Sequence, residues 1–406
     1  MNRPARRQRG ENTRSAHLPA PAGPPGSPLG LPVWRSSAWS RTDPPGGPET
    51  AGEDGADRVD NPTTAAFAAA VASLEGAAAP EDVAGQAFAS GMAAVTAVLM
   101  TFLRSGAHLV APAPVHDRTH SLITNVLARF GVSADFVDYA DLGRVDATVR
   151  RSTKIIYAET LSTPSAAVAD VRGLYRIARS AGALLVVDST FATPVVCRPL
   201  EHGADLVVHS ATTYLGGHDD CTGGVVVGRP DLIARLRRVR VDTGAELSPD
   251  DAFLLRRGLE TLPLRVRRMC STAMLFAAAV AKHPVVRRVD YPGLPGHPGH
   301  RLARHLFDSG PEGTRYGACV TVTPHGGHDA GVRLAGALRL VSAASSAGGT
   351  RTKAVCAASL GHRPGEGAEG DAGAVRFSIG LEDAEDLIVD VTRALDSLAA
   401  SGDGRV

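Results

Sequence analysis

From Asn61 onward the chain alternates stretches with helical spacing of apolar residues and short, continuous apolar runs. Helices are expected over Thr64–Leu74 and Ala93–Leu103. Strands are expected over His108–Ala111, Ala134–Val137, Lys154–Tyr157, Ala183–Val187 and Leu206–His209. Short β-rich runs separated by helical stretches predict an α/β fold: a mostly parallel sheet with helices on both faces. Ligands of such sheets sit beyond the carboxyl ends of the strands. After about Glu246 the pattern changes to a long helical region, Asp251–His283, then a cluster of chain breakers, Tyr291–His300. Strand-like Arg315–Thr323 and Ala374–Ile379 follow, which predicts a smaller α+β domain. The expected division is an N-terminal arm at 1–55, partly disordered, a large domain at 56–245 and a C-terminal small domain at 246–406.

Residues 1–30 and Asp43–Asp57 are rich in Pro and Gly and are expected to be flexible or extended. Between them Leu31–Trp39 carries both tryptophans, Trp34 and Trp39, so the arm has apolar surface to bury against a neighbour. The 406 residues are 44% hydrophobic and 21% charged, which rules out wholesale disorder or a fibrous repeat. With 43 basic against 42 acidic residues, no global field draws in nucleic acid or an anionic membrane, and neither is an expected partner. The basic start Arg3–Arg9 leads into Pro and Gly, not an apolar stretch, and a cytoplasmic location is expected. Cys197, Cys221, Cys270, Cys319 and Cys356 are scattered and read as free thiols, with no metal site. Of the basic residues only Lys154, Lys282 and Lys353 are lysines, so primary amines are scarce.

Three segments carry candidate chemistry. Ser90-Gly91-Met92-Ala93 opens an apolar helix, where free amides make an anion site suited to phosphate; the same turn also reads as a plain helix cap. Asp188 ends the apolar run Leu184–Val187, which sets a carboxylate at the ligand edge, suited to a protonated ring nitrogen; a turn aspartate reads the same way. Ser210-Ala211-Thr212-Thr213-Tyr214-Leu215-Gly216-Gly217-His218 follows another short β-run, and its hydroxyls and glycines either wrap an anion or form a polar loop.

In order, these pieces resemble the cystathionine γ-synthase/γ-lyase family of pyridoxal-phosphate (PLP) enzymes, the Cys/Met group of fold type I. Further matching motifs are Asn61-Pro62-Thr63, Glu159-Thr160, Val187–Pro194, Arg257–Leu262, Tyr291–Leu294 and Arg376–Asp383. The resemblance implies that Ser90 and the amides of Gly91 and Met92, with the hydroxyls of Ser210 and Thr212, hold the cofactor phosphate. It pairs Asp188 with the pyridinium nitrogen. It makes Arg58 an arginine reaching a neighbouring subunit's phosphate, and Arg376, with Ser346 beside it, the clamp on a substrate α-carboxylate.

The resemblance breaks where the family carries Ser-x-Thr-Lys-Tyr: the lysine's place holds Thr213. A hydroxyl can neither hold an aldehyde as an imine nor replace an ammonium near neutral pH. Lys154, Lys282 and Lys353 offer no obvious substitute. The stacking tyrosine is matched by His116, which also suits a base or a loop histidine, a neighbour-reaching tyrosine by Ala56, and an asparagine by Thr163. Two readings follow. In the favoured one the chain is a non-catalytic helper, pairing as a hetero-oligomer with a lysine-bearing paralogue. In the other it is a homo-oligomeric enzyme that binds PLP non-covalently and performs β- or γ-elimination or replacement on a sulfur- or oxygen-substituted amino acid. A sensor of PLP or of an amino acid uses the same groups.

Overall fold

The computed structural model describes residues 9–19, 28–38, 61–76, 82–113, 115–357 and 372–400. Seven strands form the larger sheet: β1 (Ala84–Phe88), β2 (His108–Pro112), β3 (Ser133–Val137), β4 (Thr153–Glu159), β5 (Leu184–Asp188), β6 (Leu206–Ser210) and β7 (Gly224–Gly228). Their spatial order is β1-β7-β6-β5-β4-β2-β3. Strands β2 to β6 pair in parallel, and β7 alone runs against its neighbours β1 and β6. The apolar runs of β5 and β6 are buried on both faces, which is why they lack a polar alternation.

All five expected strands are present. The pattern did not show β1, whose Ala-Gly-Gln-Ala-Phe carries little β-branched signal. Gly85 in it serves packing, since a Cβ there would lie 2.5 Å from the Ala68 carbonyl oxygen.

Helix α1 spans Glu11–Ala16, α2 Pro62–Glu75, α3 Gly91–Phe102 and α4 Asp117–Ser121. Asn61 caps α2 by accepting from the Thr63 amide at 2.9 Å, with Pro62 at the first helical position. Helix α1 departs from the flexible or extended chain expected over 1–30. Its Glu11 accepts from Arg315 at 2.7 and 2.9 Å and from Arg267. Those partners lie more than 250 residues away, beyond the reach of any local pattern. Trp34 stays about half exposed, and its amide donates to Thr63 Oγ1 at 2.9 Å. Trp39 and Arg58 lie outside the described residues.

The expected long helix over Asp251–His283 is two helices, Pro249–Leu259 and Leu262–Val280. Pro263 explains the break, because a helix tolerates proline in its first turn and not in its interior. Beyond it come β8 (Val286–Asp290), the short pair β9 (Ser309–Gly310) and β10 (Gly313–Thr314), then β11 (Cys319–Pro324), β12 (Ser342–Ala343), β13 (Lys353–Cys356) and β14 (Val375–Ser378). The smaller sheet runs β12-β13-β14-β11-β8.

Register gives this sheet two unlike faces. Val320, Val322, Val375 and Phe377 share an apolar, fully buried face, and Phe377 meets Phe276 of helix Leu262–Val280 at 5.2 Å between ring centres. Cys319, Thr321, Lys353, Arg376 and Ser378 share the other face. That polar face turns to the larger sheet. Thr321 Oγ1 donates to the Pro164 carbonyl at 2.6 Å, and the Tyr214 hydroxyl lies 3.3 Å from both Cys319 Sγ and Ser378 Oγ. Lys353 Nζ lies 2.5 Å from Asp219 Oδ1. Among the described residues, no helix is long and apolar enough to cross a membrane.

Candidate active site

Three adjacent parallel strands end in polar residues at one edge: β4 in Glu159, β5 in Asp188 and β6 in Ser210. Strand β1 reaches the same edge and turns through Ser90 into α3. Four elements therefore bring distant parts of the chain to one place, as open α/β sheets do.

At the α3 end, Ser90 Oγ accepts from the Ala93 amide at 3.1 Å, so the turn is a true cap. The amides of Gly91 and Met92 make no hydrogen bond among the described residues. Ser210 packs directly on this helix start. A Cβ on Gly91 would lie 2.6 Å from Ser210 Cβ and 2.7 Å from its Oγ, and only glycine allows that approach. Two open amides, a hydroxyl and the positive end of a twelve-residue helix thus converge, an arrangement that suits an anion. Thr212 is nearby but occupied: its hydroxyl donates to the Gly223 carbonyl at 3.3 Å and accepts from the Gly223 amide at 3.1 Å. To donate to an anion it must release that carbonyl.

Asp188 Oδ1 accepts from the Thr190 amide at 2.9 Å and Oδ2 from the Tyr157 hydroxyl at 3.3 Å. Burial, with the charges of Asp188 and Glu159, holds the Tyr157 phenol well above its usual range, so it remains a donor. The carboxylate keeps lone pairs for a further donor beyond the strand end. Thr213 turns its hydroxyl to the Ser210 carbonyl at 2.9 Å, and Gly348, at φ +79°, packs against the backbone of Thr213 and Tyr214.

Arg376 lies on β14 at 5% exposure. Its Nη2 donates to the carbonyls of Ser345 at 2.6 Å and Ser346 at 3.2 Å, and its Nε is buried with no partner. A buried guanidinium N–H without an acceptor is costly, and a carboxylate supplies the missing acceptor with matching geometry. Ser346 itself meets Arg376 through its carbonyl.

His116 stands before α4, and its amide donates to Glu159 Oε1 at 2.7 Å. Burial, then the negative charge of Asp188, pushes the Glu159 carboxyl up to about 8. Glu159 and Asp188 face each other in register. Sequence reasoning singled out Asp188 and passed over Glu159 and Tyr157 as site residues. The signal was available, because Glu159 ends the run Ile155–Ala158 as Asp188 ends Leu184–Val187. Lys154 and Lys282 are exposed, whereas Lys353 is buried on the inward face of the smaller sheet.

Comparison with known proteins gives the family. Residues 28–396 match the model of the Cys/Met metabolism PLP-dependent enzymes. The chain is 42% identical over 349 residues to L-methionine gamma-lyase of Pseudomonas putida, covering 84% of this chain and 85% of that one. It is 38% identical over 377 residues to cystathionine gamma-lyase of Bacillus subtilis, covering 91% and 95%. The crystal structure of metB from Corynebacterium glutamicum superposes with a TM-score of 0.87 at 34% identity, over 96% of this chain and 98% of that one. With strand ends, helix start and buried arginine assembled on the same α/β frame, the chain belongs to the Cys/Met metabolism family of PLP-dependent enzymes, fold type I.

Proposed function

We propose that this chain binds PLP and an α-amino acid non-covalently, at the edge formed by β4, β5, β6 and α3. The carrying observation is Arg376, buried on the face of the smaller sheet that turns to the larger one, with Nη2 held by the Ser345 and Ser346 carbonyls and Nε left without a partner. The residues present fit the cofactor. The amides of Gly91 and Met92 with Ser210 would hold its phosphate, and Asp188, steadied by Tyr157 and Thr190, would hold the proton of its ring nitrogen. Arg376 would orient the amino acid by its carboxylate. The cofactor, when bound, supplies an electron sink for bonds at the amino acid's α-carbon.

On this reading Thr213 stands where the family carries its lysine, and its hydroxyl can neither anchor the cofactor nor relay protons as an amine does. Proton transfer then falls to groups such as His116 and Glu159. Kinship with the γ-lyases named above favours a sulfur- or oxygen-substituted amino acid, with β- or γ-elimination or replacement as the reaction.

A second reading makes the chain a helper for a lysine-bearing paralogue, contributing Arg58 to the partner's phosphate. It is favoured by the retention of Arg58 in Arg-Val-Asp-Asn-Pro-Thr. A titration with PLP, followed by absorbance and calorimetry, separates the two. Saturable binding by the protein alone, with amino-acid affinity falling about ten-fold or more in Arg376→Ala and PLP affinity unchanged, supports the first. No binding alone, and a stable mixed oligomer of raised activity with the paralogue, replaces it with the second.

A further inference from the structure

Of the three lysines only Lys353 is buried, with its side chain 8% exposed, and the site described above makes no use of it. Strand register decides what it faces. Lys353 on β13, Ser378 on β14 and Cys319 on β11 stand in one row across the smaller sheet, and Val355, Arg376 and Thr321 form the next row of the same face. The first row rests on the segment that begins at Thr213. Ser378 Oγ and Cys319 Sγ each lie 3.3 Å from the Tyr214 hydroxyl, and Lys353 Nζ donates to Asp219 Oδ1 at 2.5 Å. The second row carries the arginine.

Among these contacts the Lys353–Asp219 pair alone joins opposite charges, and a charge-assisted hydrogen bond is about twice as strong as a neutral one. Asp219 is the only acceptor of the ammonium among the described residues, so a buried charge depends on it. The surroundings are shaped to admit the pair. A Cβ on Gly349 would fall on Asp219 Oδ2 and 2.5 Å from Lys353 Nζ, so only glycine fits there. Asp219 itself stands at φ +62°, a left-handed conformation that aspartate and asparagine tolerate better than most residues. Gly349 ends the segment whose carbonyls at Ser345 and Ser346 hold Arg376, and whose Gly348 amide donates to Ser378 Oγ at 3.0 Å. The charged pair thus adjoins the supports of the guanidinium.

We propose that Lys353 and Asp219 are positioning residues, which set the distance between Arg376 and the edge of the larger sheet and so the fit of an α-amino acid that spans the two. The ligand in this inference rests on the PLP reading above; the tie between the sheets does not. Gly91, Met92, Asp188 and Ser210, the groups proposed for the cofactor, all belong to the larger sheet and α3, so cofactor binding does not cross the junction. An amino acid with its carboxylate at Arg376 and its α-carbon at the cofactor does cross it, and it alone feels a shift of one sheet against the other.

The tie is testable in the full chain without any ligand. Cys319 stands in the same row, so its thiol reports how tightly the junction is closed. Asp219→Asn removes the charge and keeps a residue suited to φ +62°, and Lys353→Met removes the charge and keeps an unbranched side chain. Each should raise the rate of Cys319 alkylation by iodoacetamide about ten-fold, read by peptide mass, with thermal unfolding still cooperative. The double variant should react no faster than the faster single variant. Unchanged alkylation in both single variants overturns the inference, whether or not PLP binds. In calorimetry at saturating PLP, L-methionine should bind each variant about ten-fold more weakly, and PLP should bind as it does to the parent. Equal loss of both affinities, or an unchanged L-methionine affinity, also overturns the inference, because a merely structural pair moves both or neither. In a parent that binds no PLP the reading above falls, and the alkylation rates still decide whether the pair sets the junction.

Discussion

At position 213 the threonine hydroxyl is already satisfied by the Ser210 carbonyl at 2.9 Å, and Gly348 crowds the backbone there, not the side chain. Thr213→Lys is expected to turn reversible PLP binding into covalent attachment at that position, read by borohydride reduction and peptide mass. Absence of attachment in a folded variant would refute an intact cofactor pocket. Glu159 makes a second residue-scale prediction. Its folded value of about 8 stands above the ordinary 4.5, so the folded state keeps a proton that the unfolded chain releases. The stability this group contributes is full below about 4.5 and is lost as pH rises through about 8. Glu159→Gln removes that dependence. The melting temperature of the variant should gain on the parent as pH rises, and parallel pH profiles in thermal melts would contradict the assignment.

Element by element, what the pattern revealed is what local sequence controls. Buried parallel strands announce themselves as apolar runs, and a carboxylate, Asp188, ends one of them at the carboxyl edge of the sheet. Contacts set by distant residues leave no such trace. Helix α1 exists where Glu11 meets Arg267 and Arg315, and Lys353 faces inward because β13 takes its register from β14. A cleft of about 730 Å³ that Glu159 helps to line is likewise assembled from four separated segments. The junction of α3 with β6 was half legible: Ser90-Gly91 reads as a helix start, but its contact with Ser210 does not. Gly91→Ala tests that contact. Its Cβ would fall 2.6 to 2.9 Å from Ser210, so the helix start must withdraw, and PLP affinity should drop at least about ten-fold in calorimetry. Unchanged affinity would remove this junction from the site.

Among the described residues one hydrophobic cluster runs through both sheets, a second covers the other face of the larger sheet, and polar bonds join the two sheets. Helix α1 adds a clasp from the other end of the chain. Arg315 is 3% exposed and shares Glu11 and Glu312, at 2.7 and 2.6 Å. Removing Glu11 leaves buried guanidinium N–H groups short of an acceptor. Glu11→Ala should cost about 1–3 kcal/mol in urea unfolding. A change within error would mean that α1 rests on the surface without bracing it.

The Tyr214 hydroxyl carries a further consequence. Tyr214 follows Thr213, and its hydroxyl lies 3.3 Å from Ser378 Oγ, two residues along β14 from Arg376. Ser378 Oγ also accepts the Gly348 amide at 3.0 Å, close to Ser345 and Ser346, which hold the guanidinium. On the reading proposed above, the loop that would receive the cofactor and the arginine that would grip the carboxylate are thus geared through one hydroxyl. If that reading holds, retuning amino-acid preference in this chain has two handles, and the tyrosine is the one that would act through Ser378 and not by contact.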